Sequence, residues 1–186
     1  MLDIHCHILP QVDDGAKNEE ESLKMLEAAK ASGIDRLIAT PHFKDSKTDI
    51  KWIQQRFEWL KKQASQREIR AGLGFEVNTR VLPDLRSGQI RELCLAGTSL
   101  LLLEFQEDEV PPGCRQLLYQ LEREGIQVII AHPERYRTIQ KDFRQADMLL
   151  EMGCALQVDA ESLAGSVWSA ERHTAGQLLK QGEVTF

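Results

Sequence analysis

The segment LDIHCHILPQVDDGAKNEEESLKMLEAAKASGIDRLIATP (residues 2–41) decides the fold class. It begins with a short apolar run at 2–8 and ends with another at 36–41, and both runs predict buried strands. Between them, Asn18 followed by three glutamates predicts a helix N-cap, with Glu21 at the capping-box position, and Gly33 predicts the helix end. A strand, a helix and a second strand in this order indicate a parallel β-α-β unit.

The same alternation continues along the chain. Further apolar runs predict strands at 73–77, 99–105, 127–132, 155–159 and, as the start of a seventh, 184–186. Helices are predicted over 50–64, after Pro111, over 139–152 and over 170–181. On the helix at 50–64, Trp52 and Trp59 are expected to widen the apolar face that packs into the core. The pattern predicts an α/β fold, and it favours a parallel barrel over an open sheet.

Length and composition limit the function classes. With 186 residues, 42% of them apolar, and no linker or repeat, the chain is expected to form one domain over 1–186. No run approaches eighteen apolar residues, so no membrane span is expected. The net charge of −6 argues against a general nucleic-acid binder. Four cysteines without C-x-x-C spacing and the lack of a signal-peptide pattern predict a cytoplasmic protein with reduced thiols.

Histidines are concentrated at predicted strand ends. His5 and His7, His42 and His132 all lie there, and in a parallel barrel these ends meet at the functional face. His5 and His7 are two residues apart on a strand, so their side chains share one face, with α-carbons about 6.5–7 Å apart. Both imidazoles can therefore bind one metal ion, while Cys6 points to the opposite face. The alternative is a polar strand end with solvated histidines.

Carboxylates follow the same strand ends. Asp13 and Asp14 come shortly after the first strand, although an Asp-Asp-Gly sequence also suits a simple turn. Glu76 lies inside an apolar run, where a buried carboxylate is costly unless it is paired or bound to metal. Glu104 ends another apolar run and could equally be a solvated strand end. These acids extend the set of candidate metal ligands.

The donor set also indicates a chemistry. Nitrogen and oxygen ligands without thiolate suit manganese, iron or zinc, and there are enough of them for two or three divalent ions. Arg135 follows His132 and is suited to hold a phosphate group bidentately, with a solvated loop arginine as the alternative. Asp159, at another strand end, is a weaker ligand candidate. Clustered divalent ions beside an arginine are typical of phosphate-ester hydrolysis.

Seven motifs occur in order: DIHCHILP (3–10), VDDGA (12–16), IATPH (38–42), GFEV (74–77), LEF (103–105), IAHPERY (130–136) and SLAG (162–165). Together they resemble the bacterial manganese-dependent protein-tyrosine phosphatases of the PHP (polymerase and histidinol phosphatase) superfamily, which occur in capsule and exopolysaccharide loci. The resemblance extends over essentially the whole chain. It implies a distorted seven-stranded (β/α) barrel, similar to a TIM barrel, with a metal cluster at its carboxyl face.

The resemblance also implies roles for individual residues. The implied metal ligands are His5, His7, Asp14, His42, Glu76 and His132. They would hold two or three divalent ions, expected to be Mn²⁺ with iron or zinc as alternatives. Glu76 would bridge two ions, and Arg135 would contact the substrate phosphate, which makes these two the expected catalytic residues. Asp13 is the less favoured of the adjacent aspartates, and the sequence does not separate the pair.

The implied function is hydrolysis of phosphotyrosine on a bacterial protein. The expected partner is a tyrosine kinase of polysaccharide biosynthesis, whose tyrosine-rich tail is the substrate; no nucleic acid and no membrane insertion are expected. One alternative is a PHP-type phosphoesterase of a small metabolite such as histidinol phosphate. Another is a non-catalytic module that binds the kinase.

One departure from the family pattern bears on the last strand. The resemblance implies that this strand continues into a Ser-Asp-x-His segment, whose Asp and His complete the metal cluster. No Ser-Asp-x-His sequence occurs in the chain. We therefore expect the barrel to be truncated at its last strand and the chain to be part of a longer protein.

Overall fold

The computed structural model describes residues 1–106 and 109–182 as a mixed α/β fold with parallel strands. The chain divides into two compact units. The first contains Met1–Val77 and Val81–Thr98, and the second contains Asn78–Arg80 and the described residues from Ser99 onward. The predicted α/β class is confirmed, whereas the closed barrel and the single domain over 1–186 stay predictions. The strand predicted at 184–186 lies outside the described residues.

The first unit is built on short parallel strands, numbered in chain order. They are β1 (Leu2–Cys6), β2 (Arg36–Ala39), β3 (His42–Phe43), β4 (Arg70–Leu73) and β5 (Glu76–Asn78), of which Asn78 belongs to the second unit. The helices are α1 (Glu19–Ala31), α2 (Ile50–Ser65) and α3 (Ser87–Leu93). Strands β1, β2 and β4 form one sheet in that order, and β3 pairs with β5. Consequently, β1, α1 and β2 form the predicted parallel β-α-β unit.

The ends of α1 agree with the sequence signals. Asn18 Oδ1 accepts a hydrogen bond from the backbone N–H of Glu21 at 2.9 Å, which satisfies one of the free donors of the first turn. The Glu21 carboxylate accepts from the backbone N–H of Lys17, one residue before the partner that a capping box uses. Gly33, at φ 79°, lies just beyond the helix end.

The strand predicted at 73–77 has the wrong bounds. β4 ends at Leu73 and β5 begins at Glu76. The chain leaves one sheet for the other at Gly74, where an added Cβ would lie 2.8 Å from the Leu95 Cα, so only glycine allows this approach. β4 has little strand propensity of its own, and its pairing with β2 in parallel register defines it.

Trp52 corrects one core prediction. The buried residues of α2 are Ile53, Leu60 and Ala64, which belong to the apolar face predicted for this helix. Trp52 is 40% exposed, and the Arg56 guanidinium lies 4.2 Å above its ring centroid. The expected core role of Trp52 is therefore wrong, because its side chain is exposed and its ring stacks with a cation instead.

The second unit has three adjacent parallel strands. They are β6 (Leu100–Glu104), β7 (Gln127–Ala131) and β8 (Ala155–Gln157). The helices are α4 (Cys114–Arg123), α5 (Arg137–Lys141), α6 (Arg144–Glu151), α7 (Ala160–Ala164) and α8 (Ala170–Gln181). The single helix predicted over 139–152 is wrong, because the chain is extended at Asp142 (φ −144°) and the Asp142 carboxylate accepts from the backbone N–H of Arg144. Among residues 1–106 and 109–182, no helix combines the length and the apolar character of a membrane span.

Candidate functional site

Three histidines of the first unit surround one oxygen atom of Glu76. His5 lies in β1, His7 directly follows it, and His42 begins β3 opposite Glu76 in β5. His5 Nε2, His7 Nε2 and His42 Nδ1 lie 3.5, 3.3 and 2.7 Å from Glu76 Oε2. The Glu76 side chain is 1% exposed. We call these four residues the histidine cluster.

The spacing within the histidine cluster fits a metal ion. His5 Nε2 and His7 Nε2 lie 3.1 Å apart, and ligand atoms that share one ion through bonds of about 2.0–2.1 Å lie at about this separation. His42 Nδ1 is buried and has no hydrogen bond to any described residue, although Glu76 Oε2 is 2.7 Å away. Such a contact lacks hydrogen-bond alignment, and both atoms are of a type and at a separation that one metal ion could share. The nitrogen and oxygen donors suit manganese, iron or zinc.

The structure separates Asp13 from Asp14, which the sequence did not. Asp13 Oδ2 lies 2.7 Å from His7 Nδ1 and accepts from the backbone N–H of His42 at 3.0 Å, while Asp13 Oδ1 accepts from Gly15. A carboxylate at the far nitrogen of a ligand histidine fixes its ring orientation. The Asp14 side chain is 76% exposed, and its Oδ1 lies 3.3 Å from His42 Nε2. Both oxygens of Asp13 are therefore engaged within the chain, whereas the Asp14 side chain is largely exposed.

The electrostatics of His7 follow from this contact. Burial disfavours the imidazolium form, but the hydrogen bonds to Asp13 and Glu76 outweigh it and raise the pKa of His7 to about 10. Burial likewise opposes ionisation of Asp13, yet its contact with His7 holds the pKa of Asp13 below its ordinary value. Without a metal ion, His7 is thus protonated at neutral pH, and a metal ion must displace this proton.

Cys6 lies between His5 and His7 in the chain. Its surroundings favour the neutral form of its side chain, whereas those of His7 favour the charged form. Burial, followed by the negative charges of Asp3 and Asp13, raises the pKa of the Cys6 thiol to about 12. Cys6 is therefore a neutral thiol at physiological pH. A thiol is a poor nucleophile, and this argues against a cysteine-based reaction.

In the second unit, His132 follows β7 in a strained conformation. Its φ of 35° is left-handed, which is costly for a residue other than glycine, and its side chain is 5% exposed. The ring packs edge-on against the buried Tyr136, whose hydroxyl accepts from the backbone N–H of Phe105. His132 Nε2 lies 3.9 Å from Glu104 Oε1, and Asn78 Nδ2 donates to the other Glu104 oxygen. The structure thus brings His132 and Glu104 together.

Arg135 forms an ion pair with Asp159, which the sequence suggested as a weaker candidate metal ligand. Arg135 Nη2 donates to Asp159 Oδ2 at 2.5 Å, and Gln157 Nε2 donates to Asp159 Oδ1 at 3.0 Å. The Arg135 side chain is 44% exposed, so part of its guanidinium faces solvent. Arg135 is therefore not the freely solvated loop residue that the sequence left as its alternative.

Glu134 completes this arrangement, and the sequence analysis did not single it out. Its side chain is fully buried, and its Oε1 accepts from Ser162 Oγ at 2.7 Å and from the backbone N–H of Asp159 at 3.1 Å. Burial raises the pKa of Glu134, although the bond from Ser162 partly offsets it. We call Glu134, Arg135, Gln157 and Asp159 the arginine network. An acid in a short turn has no sequence signal that distinguishes it from a solvated one.

The sequence comparison identifies the family. Residues 1–186 match the model of the CpsB/CapC family of capsular polysaccharide synthesis. The chain belongs to this family. It is 37% identical over 171 residues to tyrosine-protein phosphatase YwqE of Bacillus subtilis (strain 168), and 32% identical over 170 residues to the putative tyrosine-protein phosphatase CapC of Staphylococcus aureus. Each alignment covers 89% of the chain and 66% of the relative, so the chain spans just under two thirds of their length.

Other CpsB/CapC relatives extend the comparison. CpsB of Streptococcus agalactiae serotype III (strain NEM316), a tyrosine-protein phosphatase, is 28% identical over 181 residues, covering 93% of the chain and 73% of that protein. A chain from the crystal structures of YwqE from Bacillus subtilis and CpsB from Streptococcus pneumoniae, described as unique metal-dependent tyrosine phosphatases, superposes with a TM-score of 0.88 at 32% identity. The match covers 100% of this chain and 77% of that one. The resemblance stated from the sequence motifs is confirmed.

Proposed function

We propose that the chain is a metal-dependent protein-tyrosine phosphatase that acts on a protein of capsule or exopolysaccharide synthesis. The observation that carries this proposal is the convergence of three imidazole nitrogens within 3.5 Å of one buried carboxylate oxygen, Glu76 Oε2. Family membership supports the substrate class, since its relatives are named tyrosine-protein phosphatases. The tyrosine-rich tail of a polysaccharide-biosynthesis kinase is the substrate that we propose.

The proposed ligand set follows the contacts of the first unit. The residues proposed to hold the ions are His5, His7, Asp14, His42, Glu76 and, from the resemblance, His132. Asp13 is assigned the orienting role instead, because both of its oxygens are already engaged, one of them at His7 Nδ1. We propose that the site holds two or three ions, with manganese preferred to iron or zinc. We also propose that the chain forms a single domain with a distorted seven-stranded barrel, and that it acts in the cytoplasm.

Each residue then has a definite task in phosphate-ester hydrolysis. Bound divalent ions supply Lewis acidity, which lowers the pKa of a water molecule and neutralises charge on phosphoryl oxygens. Asp13 fixes the ring of His7, and Glu76 places one oxygen between three imidazoles. Arg135 donates N–H groups to the phosphate oxygens, where a planar guanidinium can bind two at once. A tyrosine leaving group has a pKa of about 10, so it departs with little proton transfer.

The decisive experiment compares substrates and metals. A phosphotyrosine peptide and histidinol phosphate are each tested with the purified protein, with and without added Mn²⁺. We expect Mn²⁺-dependent hydrolysis of the peptide that a chelator abolishes and a thiol-alkylating reagent does not affect. Preference for histidinol phosphate would favour the small-metabolite enzyme, and kinase binding without turnover would favour the binding module.

A pair of variants tests the site itself. His42→Ala should abolish turnover and lower the metal content measured by elemental analysis. His173→Ala is the matched control, because His173 lies exposed on α8 and should leave both unchanged. Normal activity of His42→Ala would contradict the assignment of His42 as a ligand.

A further inference from the structure

The polar contacts of the arginine network form a closed loop. Arg135 Nη2 donates to Asp159, and the backbone N–H of Asp159 donates to Glu134 Oε1. Glu134 precedes Arg135 in the chain, so the loop runs from the turn after β7 to the turn after β8 and back. Gln157 occupies the remaining Asp159 oxygen, Oδ1, at 3.0 Å. Both Asp159 oxygens and its backbone N–H are therefore engaged at once.

Burial decreases along this loop from its anchor to its open end. Glu134 is fully buried, the Asp159 side chain is 18% exposed and the Arg135 side chain is 44% exposed. An arginine without an anchor would lose much rotamer freedom on binding a ligand. Asp159 restricts that freedom beforehand, and it uses only Nη2 of the guanidinium, so other N–H donors of the planar fork stay available.

We infer that Asp159 is a positioning residue that holds the Arg135 guanidinium ready for a phosphate group, and that Glu134 anchors Asp159. This inference rests on the proposed function, in which Arg135 contacts the substrate phosphate. An isolated surface ion pair would contribute little to order or stability. The Asp159–Arg135 pair differs from such a pair because Gln157 donates to the Asp159 carboxylate and the buried Glu134 accepts from the Asp159 backbone N–H.

A double-mutant cycle tests the inference. Arg135→Ala, Asp159→Ala and the double variant are compared in the Mn²⁺-loaded full chain. The readouts are kcat/KM for a phosphotyrosine peptide and orthophosphate affinity from calorimetry. Asp159→Ala should lower kcat/KM about tenfold in the wild-type background, as expected for a misplaced binding group. It should have no further effect in the Arg135→Ala background, because the two residues act as one unit.

Two further variants separate positioning from a structural role. Asp159→Asn keeps a carbonyl acceptor of the same size, so it should recover part of the loss. Asp142→Ala is the matched control, because it removes the carboxylate of an exposed pair in the same unit, where Asp142 accepts from Arg144 at 2.8 Å. It should leave kcat/KM and orthophosphate affinity unchanged.

The outcomes distinguish this inference from the proposed function. Equal effects of Asp159→Ala in both backgrounds, or tighter orthophosphate binding without Asp159, would overturn the positioning role. Orthophosphate binding with the expected coupling, but no hydrolysis of the peptide, would overturn the proposed function and leave the positioning role intact. If Arg135→Ala changes neither kcat/KM nor orthophosphate affinity, the phosphate contact assigned to Arg135 and the positioning role assigned to Asp159 are both wrong.

Discussion

The histidine cluster and the arginine network combine carboxylates with nitrogen groups in opposite ways. In the histidine cluster, three imidazole nitrogens approach one carboxylate oxygen, and His42 Nδ1 has no hydrogen bond to the described residues. In the arginine network, each contact named above pairs a donor with an acceptor, and a cation meets an anion. The first region thus gathers three nitrogens around one oxygen, an arrangement that suits a bound cation, whereas the second pairs opposite charges within the chain.

The largest expected effect comes from removing the shared oxygen of the histidine cluster. Glu76→Gln keeps the shape of the side chain but replaces the carboxylate charge, so three imidazoles lose their common anionic partner. We expect kcat/KM to fall more than about 10³-fold, beyond the loss of one preorganised donor, together with loss of bound metal. Steady-state kinetics and elemental analysis measure both. Glu92→Gln, at an exposed position on α3, is the control.

The arginine network should respond differently. Arg135→Ala should lower kcat/KM by about 10²–10³-fold, as for loss of one preorganised donor to a developing oxyanion, with no change in metal content. The contrast with Glu76→Gln sharpens the comparison, because only the first region is expected to hold the ions. Loss of metal in Arg135→Ala would contradict the expectation that only the histidine cluster holds the ions.

The third prediction concerns pH and metal uptake. The pKa of His7 is raised from 6.5 to about 10, so the metal-free protein carries an imidazolium at neutral pH that must lose its proton to bind metal. Affinity for Mn²⁺ should therefore rise with pH, by up to about tenfold per unit for one displaced proton. Calorimetry in buffers of different ionisation enthalpy measures the proton release, and pH-independent uptake would contradict the assignment.

The pH dependence of Mn²⁺ binding in an Asp13 variant tests whether Asp13 is the cause of the raised pKa of His7. Asp13→Asn removes the charge that stabilises the His7 imidazolium, so the pH dependence should become weaker. The variant should also bind metal about 10–100-fold more weakly, as is common when a group that orients a ligand histidine is lost. An unchanged slope would mean that another group sets the protonation of His7.

The smallest expected effect is that of Cys6→Ser. The raised pKa keeps Cys6 as a thiol, and its backbone N–H, which the substitution retains, donates to Thr40 Oγ1. Activity and metal content should stay within about twofold of wild type, since a neutral thiol contributes little as a nucleophile. Strong inactivation of the wild-type protein by a thiol-alkylating reagent would contradict this assignment.

Local signals predicted the parts of the fold that depend on near neighbours. The spacing of His5 and His7 predicted that both side chains share one face, and Asn18 marked the start of α1, because strand periodicity and helix capping act within a few residues. The strand β4 was missed for the opposite reason. Its residues have little strand propensity, and the parallel register with β2, from Arg36↔Arg70 to Ala39↔Leu73, is what defines it.

The sequence by itself determined which donors are present and where each strand would present them. It contained the imidazoles, the carboxylates and the arginine in a family-specific order, without a thiolate ligand. Only the tertiary structure decided which of these groups meet. The register between His42 and Glu76 and the contact of Arg135 with Asp159, 24 residues away, depend on how strands pair. Strand pairing brings together residues that no local pattern relates, and so the different contacts of Asp13 and Asp14 also became visible only in the fold.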